Sequence, residues 1–321
     1  MIHDPPVDIA DLRRELGTDF EIRTCAAAFT PRVLERGWLL RYLIDFDDLT
    51  WHRWSYWYRL QTHDHDTPAA DRRLPAEPIP PIEFSEAPWE DGKRVTGEPG
   101  PKRVCQMIRA SFDAIDPYQR HWDYLLDWLL FGFGNAAELP PEPTAGASMR
   151  LYQVFNVGAM LLYPSDYFGA MLNAAGHGER SGFFVTPFSL VETIVAMTFS
   201  SGEDARALTV MDPCMGTGRF GLVASNYSLR LYGVDIDGLA LKAALVNAYL
   251  YAPWMARPIA WLDAAYPHVD DIAEPDTAAG VAHRDFLDLA PAIVTPRAPR
   301  AARVKTPAIT LPTAEQRRLF S

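Results

Sequence analysis

The sequence is poor in the residues that build disulfide frameworks, and it has no run suited to a membrane. Its three cysteines, Cys25, Cys105 and Cys214, stand far apart. That spacing makes neither a paired framework nor a metal-ligand set. No apolar run approaches the roughly 18 residues of a membrane span. Met1-Ile2-His3-Asp4-Pro5-Pro6 lacks the basic, apolar and small-residue regions of a signal peptide. These absences point to a reduced, cytoplasmic protein. Positive charge is also short: 30 Lys and Arg against 41 Asp and Glu leave a net −11. This balance argues against a self-sufficient nucleic-acid binder, since phosphate contacts need clustered Lys and Arg. Residues 297–321 alone reverse the sign, with six basic residues against Glu315. A basic tail on an acidic body is either a solvated terminus or a contact for nucleic acid or an acidic partner subunit.

A chain of 321 residues has room for two or three domains. Residues 1–67 read as a mixed, helical, aromatic-rich region, with Trp51, Trp54, Tyr56, Trp57 and Tyr58 in one cluster. Such a cluster predicts core or interface, because a base-stacking surface would interleave more basic residues than Arg53 and Arg59. His63-Asp64-His65-Asp66 is not read as a metal site, because adjacent residues rarely converge on one ion. Residues 68–101 hold eight prolines and read as a linker or wrapping arm. Residues 102–180 resume helical spacing, broken at Pro117 and at Pro140-Pro141-Glu142-Pro143. The pattern then changes to alternating strand and helix over 181–296. Strands are expected at 207–211 and at 231–235, with helices over about 218–227 and 238–250. A third strand is expected to end at Asp285, after an irregular stretch over 252–278. This alternation predicts an α/β fold with a parallel sheet.

The first strand runs into Asp212-Pro213-Cys214-Met215-Gly216-Thr217-Gly218-Arg219-Phe220. Two glycines in a turn before a helix let backbone approach a ligand closely. Gly216 to Gly221 also satisfies G-x-G-x-x-G, but a dinucleotide fold would run its strand almost directly into the first glycine. Here Asp-Pro-Cys-Met intervenes. The carboxylate of Asp212 would repel a pyrophosphate, and it suits a cationic ligand such as the amino-acid end of S-adenosylmethionine. Asp235 closes the second strand, where a carboxylate can accept hydrogen bonds from ribose hydroxyls. Ile236 would pack on an adenine face, and Asp285 would meet its exocyclic amine.

The order Gly182-Phe183-Phe184-Val185-Thr186-Pro187, then Asp212 to Gly218, then Gly233-Val234-Asp235-Ile236-Asp237, then Asp285-Phe286-Leu287 resembles the N6-adenine DNA methyltransferases. It is most similar to the modification subunits of type I restriction systems. Tyr124-Leu125-Leu126-Asp127-Trp128 also resembles their upstream helical domain. The resemblance implies a Rossmann-like methyltransferase sheet binding S-adenosylmethionine. Phe184, Thr186 and Pro187 would line the methionine end. Asp212, Gly216, Thr217 and Gly218 would form the floor. Asp235 would hold the ribose, with Ile236 on the adenine face and Asp285 and Phe286 at the adenine. DNA and a partner protein subunit are the implied partners.

One expected element is missing. The family's chemistry resides in Asn or Asp, then Pro-Pro, then Tyr or Phe. Those residues accept the hydrogen bonds of a flipped adenine's amine and stack on its ring, and positioning is most of the catalysis. Thr295-Pro296-Arg297-Ala298 lacks the Asn, the second Pro and the aromatic, and Asp116-Pro117-Tyr118 lacks a proline. Asp4-Pro5-Pro6-Val7 has no strand before it to present it. No catalytic residue is therefore assigned. The expected sheet is incomplete, and methyl transfer by this chain alone is not expected.

Overall fold

The computed structural model describes residues 35–88, 99–177, 182–199 and 204–265. Among the described residues, seven helices precede the Phe183–Pro187 loop: α1 Trp38–Asp45, α2 Arg53–Thr62, α3 Pro99–Ile115, α4 Trp122–Gly132, α5 Ala147–Val154, α6 Val157–Leu162 and α7 Tyr167–Ala174. Pro117 bars α3 from continuing, because a residue before proline leaves the helical region. Nearly every residue of α4 after Asp123 is buried, so this helix is covered on all sides. Asn156 and Asp166 start α6 and α7 by accepting the amides of Ala159 and Gly169. None of the described helices is long and apolar enough to cross a membrane.

The aromatic cluster on α2 is core. Trp54, Tyr56 and Trp57 are buried, while Tyr58 faces outward. The indole of Trp54 donates to the Tyr249 carbonyl at 3.1 Å, and that of Trp57 to the Arg257 carbonyl at 2.6 Å. These bonds fasten α2 to the helices that follow the sheet. Arg53 beside them is fully buried, and among the described residues no carboxylate accepts from its guanidinium. Those acceptors are the carbonyls of Pro80 (2.8 Å) and Tyr251 (2.8 Å), the Ser225 hydroxyl (2.7 Å) and the Asn226 amide oxygen. Burial pulls its pKa down to about 9, which leaves it charged at neutral pH.

Part of the proline-rich stretch wraps this core. Ile79, Ile82 and Phe84 are buried. Asn226 exchanges two hydrogen bonds with the backbone of Ile82, each 2.9 Å. Prolines suit such an arm, because they fix the chain without requiring a ladder partner.

The sheet has two strands among the described residues, β1 Thr209–Asp212 and β2 Arg230–Gly233, parallel and in register from Thr209 opposite Arg230 to Asp212 opposite Gly233. Helix α8 (Phe188–Thr198) precedes β1, and α9 (Arg219–Ala224) crosses over to β2. Helix α10 (Gly238–Tyr251) follows, started by Asp237, which accepts the amides of Leu239 and Ala240. Buried from Ala243 to Tyr251, α10 is the central helix, and Lys242 ties it to α4 through Asp123 and Asp127. The described residues are thus largely helical around a small parallel sheet.

Three boundaries differ from the sequence reading. The first strand begins two residues later than expected, because Ala205–Ala207 form a 3-10 turn capped by Asp204. The second strand stops at Gly233, so Asp235 lies in the following loop. The stretch read as irregular contains α11 (Pro253–Ala256) and α12 (Ala260–Ala265), both buried through Trp254, Met255, Trp261 and Leu262. Proline at the first helical position is compatible with that start. The third strand expected near Asp285 lies outside the described residues, as do the basic tail and Cys25.

Candidate cofactor-binding site

The glycine turn leaves β1 at Asp212 and enters α9 at Arg219. Gly216 and Gly218 adopt φ of 52° and 89°, backbone that side-chain-bearing residues rarely take. A Cβ on Gly216 would stand 3.1 Å from the Phe183 ring, so the turn and the upstream loop approach closely enough that any larger residue would press on that ring. The turn also closes on the second strand. Val234 donates its amide to the Asp212 carbonyl at 3.0 Å, and Met215 donates to the Val234 carbonyl at 3.1 Å. Gly233 makes room for this, since a Cβ there would overlap the Met215 sulfur.

Two carboxylates converge on the turn. Asp235 accepts the Gly216 amide at 2.7 Å and the Asp237 amide at 2.9 Å. Asp212 accepts the Cys214 amide at 3.0 Å. Burial raises the pKa of Asp212; the Cys214 amide opposes this and the Asp235 charge adds to it. An ionised carboxylate offers about four acceptor sites, so both residues keep capacity for a ligand.

An open cleft of about 350 Å³ lies between the turn and the Phe183–Thr186 loop. Of the residues expected from the sequence, Phe184, Thr186, Asp212, Gly216 and Thr217 line it. Phe184 is 80% exposed at its rim. Pro187 stands at the N-terminus of α8 rather than in the lining. Thr217 contributes, but its hydroxyl turns inward to Asp166 at 2.6 Å. Gly218 supports the turn from below, donating its amide to the Met215 carbonyl at 2.8 Å. Ile236 is 98% exposed beside Asp235, an apolar side chain with an open face. Asp285 and Phe286 lie outside the described residues.

Several participants were not singled out from sequence. Phe183, rather than Phe184 alone, packs against the turn, and its ring also contacts His177. His177 bonds Asp237 at 2.6 Å. Burial works against the Asp237 charge, but the Ala240 amide, His177 and the Leu239 amide outweigh it and hold the carboxyl below its usual range. Behind the turn lies a buried polar group of Asp166, Thr217, Arg219 and Asn247. Arg219 was legible as the residue after the second glycine, but nothing local marks its partners. His63 and His65 each pair with the adjacent aspartate.

What this arrangement can do follows from its parts. Close backbone, two acceptors and an apolar rim suit a compact ligand with a cationic end and hydroxyls. No curated protein and no solved structure matches the chain. Residues 166–255 match the family model of the N-6 DNA methylases. That segment begins at the cap of α7, contains the whole turn and ends in α11. Over Asp166 to Met255, less than a third of its length, the chain is similar to the N-6 DNA methylases.

Proposed function

We propose that the chain binds S-adenosylmethionine in the cleft between the Phe183–Pro187 loop and the glycine turn. The observation that carries this reading is the convergence of Asp212 and Asp235 on a turn whose glycines hold positive φ and bring backbone close to the cleft. Asp212 would take the ammonium of the methionine end, which relieves the burial of its own charge. Asp235 would take ribose hydroxyls through its free lone pairs, and Ile236 would cover one face of the adenine. Asp285 and Phe286 would complete the adenine site on a third strand of a Rossmann-like sheet. When bound, the cofactor supplies an electrophilic methyl group for the exocyclic amine of adenine in DNA.

Methyl transfer itself needs groups that hold the acceptor amine, and the sequence has no Asn-Pro-Pro-Tyr-type motif. The chain is therefore read as the cofactor half of an adenine-specific DNA methyltransferase of restriction-modification type. Incubation with methyl-labelled S-adenosylmethionine and DNA tests this. Label should remain with the protein after gel filtration and stay out of the DNA. Label in DNA from the purified chain would overturn the second half of the reading, and no retained label the first.

A second reading has its own observation. Strand β1 pairs only with β2 among the described residues, and Leu190, Ile194, Leu208 and Met211 are exposed on and beside it. Ile194 and Met211 also line the cleft. An open strand edge next to a cofactor cleft suits the addition of further polypeptide carrying the acceptor site. On this reading a second subunit completes the enzyme, and the tail at 297–321 is a contact for that subunit or for DNA.

A further inference from the structure

The two walls of the cleft come from separate stretches of chain, with α8 and β1 between them in sequence. One wall is the glycine turn; the other is the irregular loop that ends in Thr186-Pro187. A single guanidinium spans them. Arg219 donates Nη1–H to the Thr186 carbonyl at 2.9 Å and to Glu86 Oε2 at 2.8 Å. It donates Nε–H to Asp166 Oδ2 at 2.9 Å, and its plane lies over the Phe188 ring, 4.6 Å from the centroid. The other oxygen of Glu86 accepts the Phe188 amide at 2.5 Å, at the start of α8.

Asp166 is fully buried and saturated. Oδ2 accepts the Thr217 hydroxyl at 2.6 Å as well as Arg219. Oδ1 accepts the Gly169 amide at 2.8 Å and the Asn247 amide at 2.9 Å. The Asn247 amide also reaches the Thr217 carbonyl at 3.0 Å. Gly169 permits this packing: a Cβ there would stand 2.0 Å from Asp166 Oδ2 and 2.4 Å from the Thr217 hydroxyl.

We infer that Arg219, oriented by Asp166 and Glu86, is the positioning residue that fixes the Thr186 loop against the glycine turn and so sets the width of the cleft. Two features separate this from ordinary core support. Arg53 is buried to the same degree, yet its bonds end on residues outside the cleft lining. The bonds of Arg219 end on Thr186 and, through Asp166, on Thr217, both of which line it. The geometry also demands a guanidinium, because a point-charge ammonium cannot meet two carboxylates and a carbonyl in one plane. Glu86 lies outside the matched family segment, so the wrapping arm takes part in the site.

Hydrogen–deuterium exchange of the ligand-free full chain tests this without any cofactor. Arg219→Lys should speed exchange several-fold in peptides covering 182–188 and 212–218, while peptides from α4 and α10 keep wild-type protection. Glu86→Gln perturbs a half-exposed side chain and should fold normally, with faster exchange confined to 182–188. Wild-type exchange in both segments of a folded Arg219→Lys protein would overturn the inference. Should Arg219→Lys fail to fold, unchanged exchange at 182–188 in Glu86→Gln would do so. A second arm rests on the cofactor reading: Glu86→Gln should weaken S-adenosylmethionine binding about threefold with an unchanged melting temperature. If the wild-type chain binds no cofactor, that reading fails and the exchange result still decides the positioning role.

Discussion

Asp235 accepts the Gly216 amide at 2.7 Å, so the carboxylate that ends the second strand's loop also holds the turn that leaves the first. This bond links the two carboxylates of the site. It keeps Asp235 beside Asp212, where its charge adds to the burial that raises the Asp212 pKa. A cation beside these two carboxylates would favour their ionised forms.

Asp212→Asn should stabilise the ligand-free protein at neutral pH and weaken cofactor binding. The sign follows from the raised pKa. A carboxyl whose folded pKa lies above its unfolded value favours folding below the unfolded value of 3.8, and that contribution is lost as pH rises through the folded pKa. The asparagine variant should melt higher than wild type at pH 7, and the gap should close on acidification. Cofactor affinity should fall roughly tenfold, the scale of a lost charge-assisted hydrogen bond. Thermal melts across pH together with a binding titration check both halves.

Asp237→Ala should have the opposite pH signature. Burial opposes the charge of this group, but the Ala240 amide, His177 and the Leu239 amide lower its pKa overall. Its contribution is present above 3.8 and fades as pH falls through the lower folded value. Loss of the cap of α10 should cost about 1 kcal/mol at pH 7. Denaturant unfolding at pH 7 and at strongly acid pH measures the difference and its disappearance.

Gly218→Ala should destabilise the turn by about 1–2 kcal/mol, because φ of 89° is poor for any residue with a Cβ. Space is not the obstacle here, since the added carbon would meet Ala244 at an ordinary 3.4 Å. Urea titration reads the stability change, and an unchanged midpoint would contradict the assigned backbone.

Arg53→Met should cost on the order of 3 kcal/mol or more, since it strands several buried acceptors at once. The Tyr251 and Pro80 carbonyls and Ser225 all lose their donor. Equilibrium unfolding of the variant checks this, and a small loss would mean that the pocket rehydrates.

Much of the site's frame was legible in the sequence because it is local. The alternation from Thr209 to Tyr251, the glycines at 216 and 218, and the carboxylates at 212 and 235 all sit within one strand–helix–strand–helix run. The burial of Trp54 and Trp57 followed from the scarcity of basic neighbours. What sequence did not disclose is long-range. Asp166 meets Arg219 across 53 positions and Glu86 meets it across 133, and no spacing rule connects a cap of α7 with a proline-rich arm. The short helices after Tyr251 escaped notice because Pro253 and Pro258 mask their few turns. Thr217 was legible as part of the turn, whereas the inward direction of its hydroxyl depends on Asp166.

On the proposed reading, the cleft binds S-adenosylmethionine and Asp235 organises it. Isothermal calorimetry of the full chain tests it most directly, with wild type and Asp235→Ala titrated under the same conditions. Wild type should bind one-to-one, and the variant should lose roughly tenfold or more, since it would forfeit the proposed ribose acceptor together with the Gly216 anchor. Absence of heat with the folded wild-type chain, or equal affinity in Asp235→Ala, would contradict it.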